Sequence, residues 1–400
     1  MYLNRPARTA ALLLVFAPAC ARGPVAVSRS APVPPAVAIT PGVSQALAQA
    51  RAATLRTVRY DMILDLTGAE RARGRIGVDV VRSATAGELV LDFRGPALDS
   101  VRVNGVAVSV QRAAPQVSSD GARTSRAADA QDVRLVRPSA DWRDGHIIIP
   151  RSLLRPGENH IDALFEATIA AAGASIIRFQ DDSDGNDYLY TLLVPADANQ
   201  LFPSFDQPDL KARVTFHAIV RDDWRVLANG PQHARTALGD GRVRYDFGQT
   251  RPISTYLVAF ATGPWTTLAA DDTAAVPTSL WVRASRADAV DGDTLLATNA
   301  WARAWLQQYF DSPFPFAKMD LLLAPAFPFG GMEHVGAIFY NENSFIFREP
   351  PTLVQRLARD ATIYHEVAHQ WFGDLVTMRW FDDLWLKEGF ATYMAARIQA

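Results

Sequence analysis

The stretch HEVAHQWFGDLVTMRWFDDLWLKEGFATYMA, residues 365–395, opens with two histidines four positions apart. On a helix, His365 and His369 lie one turn apart on the same face, so both imidazoles can bind a single tetrahedral zinc ion. Glu366 lies beside this face, where its carboxylate can take a proton from the water that the metal activates. The HExxH spacing therefore predicts a zinc site with Glu366 as the general base.

A catalytic zinc site needs a third protein ligand. Glu388 follows His369 by nineteen residues and lies on the next predicted helix. Glutamate is rare in this chain, which weighs against the alternative that the two histidines are only packed or capped side chains. We predict one Zn²⁺ per chain, bound by His365, His369 and Glu388. Asp382 or Asp383 could accept a hydrogen bond from a zinc-binding histidine or could instead cap the next helix, and the sequence leaves both open.

The motif lies within a helical region. Residues 352–372 are predicted to form one helix, because Thr352 can cap its start and Gly373 can end it in the left-handed conformation. Residues 384–400 are apolar at helical spacing and have no stop signal at residue 400. This pattern favours a chain that continues beyond residue 400.

Upstream of about residue 290, short β-strand patterns dominate. They are separated by Gly, Pro and Asn at short spacing, which predicts an antiparallel, sandwich-like domain. Residues 112–131 are polar and lack a period, so we expect a mobile loop there. The strand patterns followed by helical patterns predict an α+β multidomain fold. The six clearest strand patterns are residues 60–66, 76–81, 88–93, 101–105, 146–150 and 160–165.

The N-terminus has the pattern of an export signal. Arg5 and Arg8 precede an apolar run, residues 10–16, which is too short to span a bilayer. Ala17-Pro18-Ala19 is typical of a cleavage site, and Cys20 follows it directly, as in a bacterial lipoprotein. We expect an exported protein, periplasmic or anchored to the membrane through a lipid on Cys20. The alternative is an ordinary secretory signal in which Cys20 is incidental.

The remaining composition restricts the partners. A net charge of −2 gives no electrostatic case for binding nucleic acid. Cys20 is the single cysteine, so no disulfide can form within the chain.

Four hundred residues fit two or three domains. We assign residues 1–20 to the signal peptide and residues 21–45, rich in Pro and Ala, to a solvated tether.

Residues 365–395 closely resemble the zinc-binding segment of the aminopeptidase N and leukotriene A4 hydrolase family, the HExxH-x18-E gluzincins. In that family HExxH is followed by eighteen residues and then Glu, and this sequence has the same count. The resemblance implies zinc ligands at His365, His369 and Glu388, with Glu366 as the general base. It also implies a β-rich N-terminal domain, residues 46–266 here. The first part of a thermolysin-like catalytic domain, residues 267–400, would follow it.

A second segment, Gly330-Gly331-Met332-Glu333-His334, resembles the family's GAMEN or GGMEN motif. In the family this motif is an edge strand beside the substrate, and its Glu binds the free α-amino group. The resemblance implies that Glu333 binds the substrate amine, with Gly330, Gly331, Met332 and His334 beside the substrate. A carboxylate fixed at the end of a cleft pairs with an ammonium and sets cleavage one residue away. Residues 202–211 and 252–260 resemble further family segments.

This sequence departs from the family pattern at several positions. His334 replaces Asn and is either a tolerated substitution or a hydrogen-bonding group for the substrate backbone. Lys387 replaces the Asn before the last ligand, and we expect it to point to solvent. Residues 192–194 are apolar where many members carry a second amine anchor. The oxyanion-stabilising Tyr of the family lies beyond residue 400, and Tyr340 and Tyr393 are poor substitutes. Because an oxyanion donor contributes about 10²–10³ in rate, we expect this chain alone to be nearly inactive.

The sequence thus predicts a zinc aminopeptidase that hydrolyses N-terminal residues from peptides with a free N-terminus. The same scaffold could instead serve an endopeptidase or an epoxide hydrolase. A non-catalytic surface lipoprotein that binds peptides is the alternative from another class of protein, and it would follow if the chain truly ended at residue 400.

Overall fold

The computed structural model describes residues 37–112, 138–270 and 275–400. The signal peptide with Cys20 and nearly all of the loop predicted for residues 112–131 lie outside these ranges. Most of the tether predicted for residues 21–45 lies outside them as well.

The last part of that predicted tether contacts residues that belong to the large β-sheet of the chain. His146 Nε2 lies 3.0 Å from the backbone oxygen of Thr40 and 3.1 Å from that of Gly42. Ile39 packs against Leu47 and Val90. The domain boundaries assigned from the sequence stay a prediction.

Among the described residues, fifteen strands form one large mixed sheet. Alternation of side chains produces these strands: Ile76 and Val78 are buried, whereas Arg73 and Arg75, at alternate positions before them, are exposed. The strands are β1 (Leu55–Asp65), β2 (Arg71–Arg82), β3 (Leu89–Asp92), β4 (Ala97–Val103), β5 (Val106–Arg112), β6 (Ser139–Arg143), β7 (His146–Ile149), β8 (Gly157–Ala170), β9 (Ile176–Gln180), β10 (Asp187–Thr191), β11 (Ala212–Arg221), β12 (Arg225–Ala228), β13 (Gln232–Gly239), β14 (Arg242–Phe247) and β15 (Phe260–Gly263).

Most neighbours in this sheet are antiparallel, with β2 paired along its whole length to β8. Three pairs are parallel, namely β1 with β11, β5 with β6 and β8 with β9. The predicted α+β class is confirmed, but the sheet is mixed where the sequence predicts a purely antiparallel one. Strands β1 and β11 are distant in sequence, so turn signals between adjacent strands do not reveal that they pair.

A second sheet has five strands in the order β16-β17-β18-β20-β19. Its central pairs, β17–β18 and β18–β20, are parallel, and its outer pairs are antiparallel. The two-residue strand β19 forms one edge of this sheet. These strands are β16 (Trp265–Ala270), β17 (Ser279–Arg283), β18 (Asp320–Ala324), β19 (Gly331–Met332) and β20 (Ala337–Asn341).

Three long helices cover one face of the five-stranded sheet. Leu321 and Leu323 of β18 pack in the same cluster as Val367 on the helix that carries the HExxH motif. Leu322, which points the other way, packs in the cluster of the large sheet. A strand buried on both faces is continuously apolar, as β18 is from Leu321 to Ala324. The three long helices are α3 (Gly292–Phe310), α4 (Leu353–His369) and α5 (Trp385–Gln399). Two shorter helices, α1 (Gln45–Thr54) and α2 (Ala198–Leu201), precede them in the chain.

Helix α4 begins where the sequence predicts. Thr352 accepts from the Gln355 amide at 3.3 Å, and Gln355 Oε1 accepts from the Thr352 amide at 2.9 Å, which completes a capping box. The helix ends at His369 and not at residue 372, because the amides of Gln370 and Trp371 bond carbonyls three residues back and the amide of Gly373 bonds forward to the oxygen of Val376. The prediction that Gly373 ends the helix was therefore wrong.

The length and polarity of the helices bear on membrane insertion. Within the described part of the chain, no helix combines the length and apolar character that crossing a bilayer requires.

Candidate metal centre

Two histidines and one glutamate converge at the C-terminal half of α4. His365 Nε2 lies 2.9 Å from His369 Nε2. Glu388 Oε2, from the first turn of α5, lies 3.3 Å from the first of these nitrogens and 3.5 Å from the second. Zinc bonds of about 2.0–2.1 Å in tetrahedral geometry separate donor atoms by roughly 3.4 Å. The three donors are thus spaced as a shared zinc ion requires.

The ring orientations are set by contacts on the far side of each imidazole. His369 Nδ1 lies 2.8 Å from the backbone oxygen of Phe372, so its Nε2 faces the site. Thr392 Oγ1 lies 3.4 Å from His365 Nδ1.

Asp382 and Asp383 are exposed and make neither of the contacts considered for them. No described hydrogen bond joins them to a histidine, and α5 has no side-chain cap.

The protonation of the site follows from burial and neighbouring charge. Burial opposes the cationic form of His369, but the carboxylates of Glu333 and Glu388 outweigh it and raise the pKa of His369 to about 9. A divalent cation would replace that proton, because metal ligands bind in their deprotonated forms. The donor set and its negative surroundings therefore fit a zinc ion.

Glu366 lies in the same cleft and is almost fully buried. Burial raises the pKa of its carboxyl to about 8, and a bound cation would lower that pKa again. Gly331 on β19 makes room for this side chain, since a Cβ at Gly331 would lie 2.4 Å from Glu366 Cγ. The edge strand and the helix are thus in close contact at the position of the predicted general base.

Glu333 follows β19 directly and is also buried. Its backbone oxygen accepts from Gln370 Nε2 at 2.9 Å, and its Oε1 accepts from Lys387 Nζ at 2.5 Å. Burial disfavours the carboxylate, but the charges of His369 and Lys387 outweigh this effect and lower the pKa of Glu333 to about 2. The residue predicted to bind a substrate amine is therefore an ionised carboxylate.

Lys387 does not point to solvent, so that prediction was wrong. Its side chain is buried, its Nζ lies 3.0 Å from Glu388 Oε1, and the same atom lies 5.0 Å from the ring centre of Tyr256. Two carboxylates and an aromatic face compensate the burial of the ammonium. The sequence offered one clue, a lysine next to the last ligand in a chain that has three lysines.

His334 lies behind the strand and not in the cleft. Its ring is fully buried with its centre 4.5 Å from that of Phe339, and among the described residues neither ring nitrogen has a hydrogen-bond partner. Burial lowers the pKa of His334 to about 3, so the ring is neutral. The structure does not bring this residue to the cleft, and its predicted contact with the substrate stays a prediction.

The cleft has a volume of about 830 Å³ and contains the other predicted residues of the second motif. Tyr340 and Tyr393 do not line it: the hydroxyl of Tyr340 donates to Asn299 Oδ1 at 2.8 Å, and Tyr393 is exposed on α5. The lining of the cleft includes Val194, Pro195, Tyr256, Phe329, Gly330, Gly331, Met332, Glu333, His365, Glu366, Met378, Phe381, Leu384, Lys387 and Glu388.

Two family models match this chain. The Peptidase M1 N-terminal domain matches residues 90–257, and the Peptidase family M1 domain matches residues 297–400. The first match falls on the large sheet, and the second covers α3, α4, α5 and most of the five-stranded sheet. The predicted resemblance to the aminopeptidase N family is confirmed.

Curated relatives agree with these models. Aminopeptidase N of Streptomyces lividans is 35% identical over 368 residues, which are 90% of this chain and 39% of that protein. Human aminopeptidase N is 31% identical over 281 residues, 68% of this chain and 29% of that protein. Glutamyl aminopeptidase of Bos taurus is 32% identical over 202 residues, 50% of this chain and 21% of that protein. The chain thus spans about two fifths or less of the length of these relatives, and by both matched models it belongs to peptidase family M1.

Proposed function

We propose that this chain carries the metal site, general base and amine anchor of a zinc-dependent aminopeptidase that removes N-terminal residues from peptides. One observation carries the proposal: the donor atoms of His365, His369 and Glu388 lie 2.9–3.5 Å apart, in a cleft that also contains Glu366 and Glu333. The matched models are peptidase domains and the relatives are aminopeptidases, which supports peptide hydrolysis as the reaction class.

The residues divide the chemistry between them. A zinc ion held by the three ligands would supply the Lewis acidity that activates water and polarises the scissile carbonyl. Glu366 accepts the proton of the attacking water and returns it to the leaving amine. Glu333 binds the N-terminal ammonium of the peptide and so places the first peptide bond at the metal.

The general base gives the first test. Glu366→Gln is expected to keep one zinc per chain and to lower hydrolysis by about 10²–10⁴-fold, because the amide cannot accept the proton. We expect slow turnover from the 400-residue chain alone, so hydrolysis is followed with a fluorogenic aminoacyl substrate. Glu158→Gln, at an exposed position of β8, is the matched control. A Glu366→Gln protein with the wild-type rate would exclude this residue as the base.

Substrate blocking separates the aminopeptidase from its alternatives. A peptide with a free N-terminus and its N-acetylated twin are offered to the zinc-loaded protein. Preference for the free peptide supports the exopeptidase, and equal cleavage would point to an endopeptidase. Peptide binding without any cleavage, in this chain and in a longer form of it, would favour the non-catalytic binding protein.

We also propose that the protein is exported and attached to the membrane through a lipid on Cys20. The support is the sequence alone, since Arg5, Arg8, the apolar run and Cys20 lie outside the described residues. Intact mass spectrometry of the native protein tests this, and a chain that retains Met1 would contradict it.

A further inference from the structure

The amine anchor already has an ammonium partner from its own chain. Glu333 Oε1 accepts from Lys387 Nζ at 2.5 Å, and that nitrogen also lies 3.0 Å from Glu388 Oε1. Both Glu333 and Lys387 line the cleft and are almost fully buried. A lysine ammonium thus occupies the carboxylate that, in the proposed function, receives the N-terminal ammonium of a peptide.

The surrounding residues hold Lys387 in this position. Its Cα is fixed in the first turn of α5, next to the ligand Glu388. The ring of Tyr256 lies against the ammonium, with its centre 5.0 Å from Nζ. The methylene chain runs past Gly373, where a Cβ would lie 3.3 Å from Lys387 Cδ. The burial of this long side chain is compensated by the carboxylates of Glu333 and Glu388 together with the aromatic face of Tyr256.

Two ammonium groups cannot share one buried carboxylate without repulsion, because like charges at contact distance in a poorly solvated site disfavour each other. The incoming α-ammonium must therefore displace Lys387 from Glu333 or bind beside it at a cost. A peptide whose N-terminus is acetylated carries no such charge and meets no such competition.

We propose, on the basis of the proposed function, that Lys387 is a specificity-determining residue that competes with the substrate's N-terminal ammonium for Glu333. It weakens the binding of free peptides relative to blocked ones and so reduces the selectivity for a free N-terminus. Lys387 acts through Glu333 and takes no part in proton transfer.

Binding is measured by titration calorimetry with Leu-Gly-Gly and N-acetyl-Leu-Gly-Gly, on zinc-loaded protein in the Glu366→Gln background, where the probes are not hydrolysed. Lys387→Met removes the charge and keeps the length of the side chain. It is expected to lower the Kd for Leu-Gly-Gly at least tenfold and to change the Kd for the acetylated peptide by less than twofold. Lys387→Asn, which also removes the charge with a shorter polar side chain, is the second variant in case the first does not fold. Zinc content is measured for each variant because Nζ contacts Glu388.

Two further variants complete the test. Lys211→Met is the matched control, because Lys211 Nζ donates to the backbone oxygens of Asp374 and Leu375 and does not line the cleft. Glu333→Gln tests the anchor itself. It is expected to weaken the binding of Leu-Gly-Gly and to leave the binding of the acetylated peptide unchanged. If Glu333→Gln weakens the binding of Leu-Gly-Gly but neither Lys387 variant tightens it, the competition is refuted and the proposed function stands. If Glu333→Gln has no effect on either peptide, the anchor of the proposed function fails, and the inference about Lys387 fails with it.

Discussion

Single buried charges in this protein owe their ionisation to their immediate neighbours. Asp92 and Asp206 lie close together in the large-sheet region, and both are almost fully buried. Burial disfavours the carboxylate of Asp92, but Arg51 and His146 outweigh it and lower its pKa. Asp206 has no cation beside it among the described residues, so burial raises its pKa to about 6, helped by the charge of Asp92. Equal burial therefore has opposite outcomes at these two positions.

Asp206 gives a prediction about stability and pH. Its pKa is raised on folding, so the free energy of unfolding that it contributes is present below about pH 4 and lost as pH rises through about 6. Asp206→Asn removes this loss. The asparagine oxygen can still accept from Asn199, and its amide can donate to Thr255 Oγ1, which now donates to Asp206. Relative to wild type, the free energy of unfolding of the variant is expected to rise by roughly 2 kcal/mol between pH 4.5 and pH 7.5.

Urea unfolding at both pH values measures this gain. Asp222→Asn, at an exposed position, controls for the loss of one carboxylate. An identical difference between Asp206→Asn and wild type at the two pH values would show that Asp206 titrates normally in the folded protein.

At the scale of residues, the sequence predicts the site better than it predicts the surroundings of the site. His365, His369 and Glu388 converge as their spacing predicts: helix periodicity places the two histidines, and the connection of residues 370–384 brings Glu388 in the first turn of α5 next to them. The burial of Lys387 was not predictable from spacing, since it depends on Glu333, 54 residues away in the chain. The same holds for His334, whose position behind β19 is set by packing against Phe339.

At the scale of elements, the site depends on how closely the edge strand β19 approaches helix α4. Gly331 faces Glu366 without a side chain, and its backbone is paired to Tyr340 of β20 on the other side. The position of Glu366, the proposed general base, is therefore set by a strand as well as by its own helix. The sequence predicted the strand, through its motif, and the start of the helix, through Thr352. It did not predict the end of the helix, which tertiary turns around residues 370–373 determine.

A methyl group at Gly331 should displace Glu366, the proposed general base. The Cβ of Gly331→Ala would lie 2.4 Å from Glu366 Cγ, too close for either group to stay in place. We expect hydrolysis to fall by about 10²–10⁴-fold, as for a misplaced general base, with zinc content unchanged. Gly292→Ala, at the start of α3 and outside the cleft, is the control, because its Cβ would meet Leu268 Cβ at an ordinary 3.6 Å. Similar rates for the two variants would show that the contact with Gly331 does not position Glu366.

At the scale of the whole molecule, a buried ion cluster joins the two sheets. Arg283, at the end of β17, bonds Asp181 just after β9 and also bonds Glu342 at 2.5 Å. All three side chains are almost fully buried. Such a cluster fixes the geometry between elements, because a misplaced sheet would leave the charges unpaired.

Arg283→Met should therefore destabilise the protein strongly. It leaves two buried carboxylates without their cation, and the expected loss in the free energy of unfolding is about 3–5 kcal/mol. Arg221→Met, which breaks an exposed pair with Asp223, is the control and should cost about 0–1 kcal/mol. Urea unfolding measures both variants. A loss for Arg283→Met as small as that of the control would show that the cluster is not what holds the sheets together.

The central claim is that one zinc ion binds between α4 and α5, and zinc content measures it most directly. Wild type, His369→Ala and the exposed-histidine control His233→Ala are equilibrated with buffered zinc, and bound metal is counted by plasma mass spectrometry. We predict one zinc per chain in wild type and in the control, and less than about a tenth of that in His369→Ala, because two ligands rarely retain a catalytic zinc ion. Wild type without zinc, or His369→Ala with its zinc intact, would contradict the account.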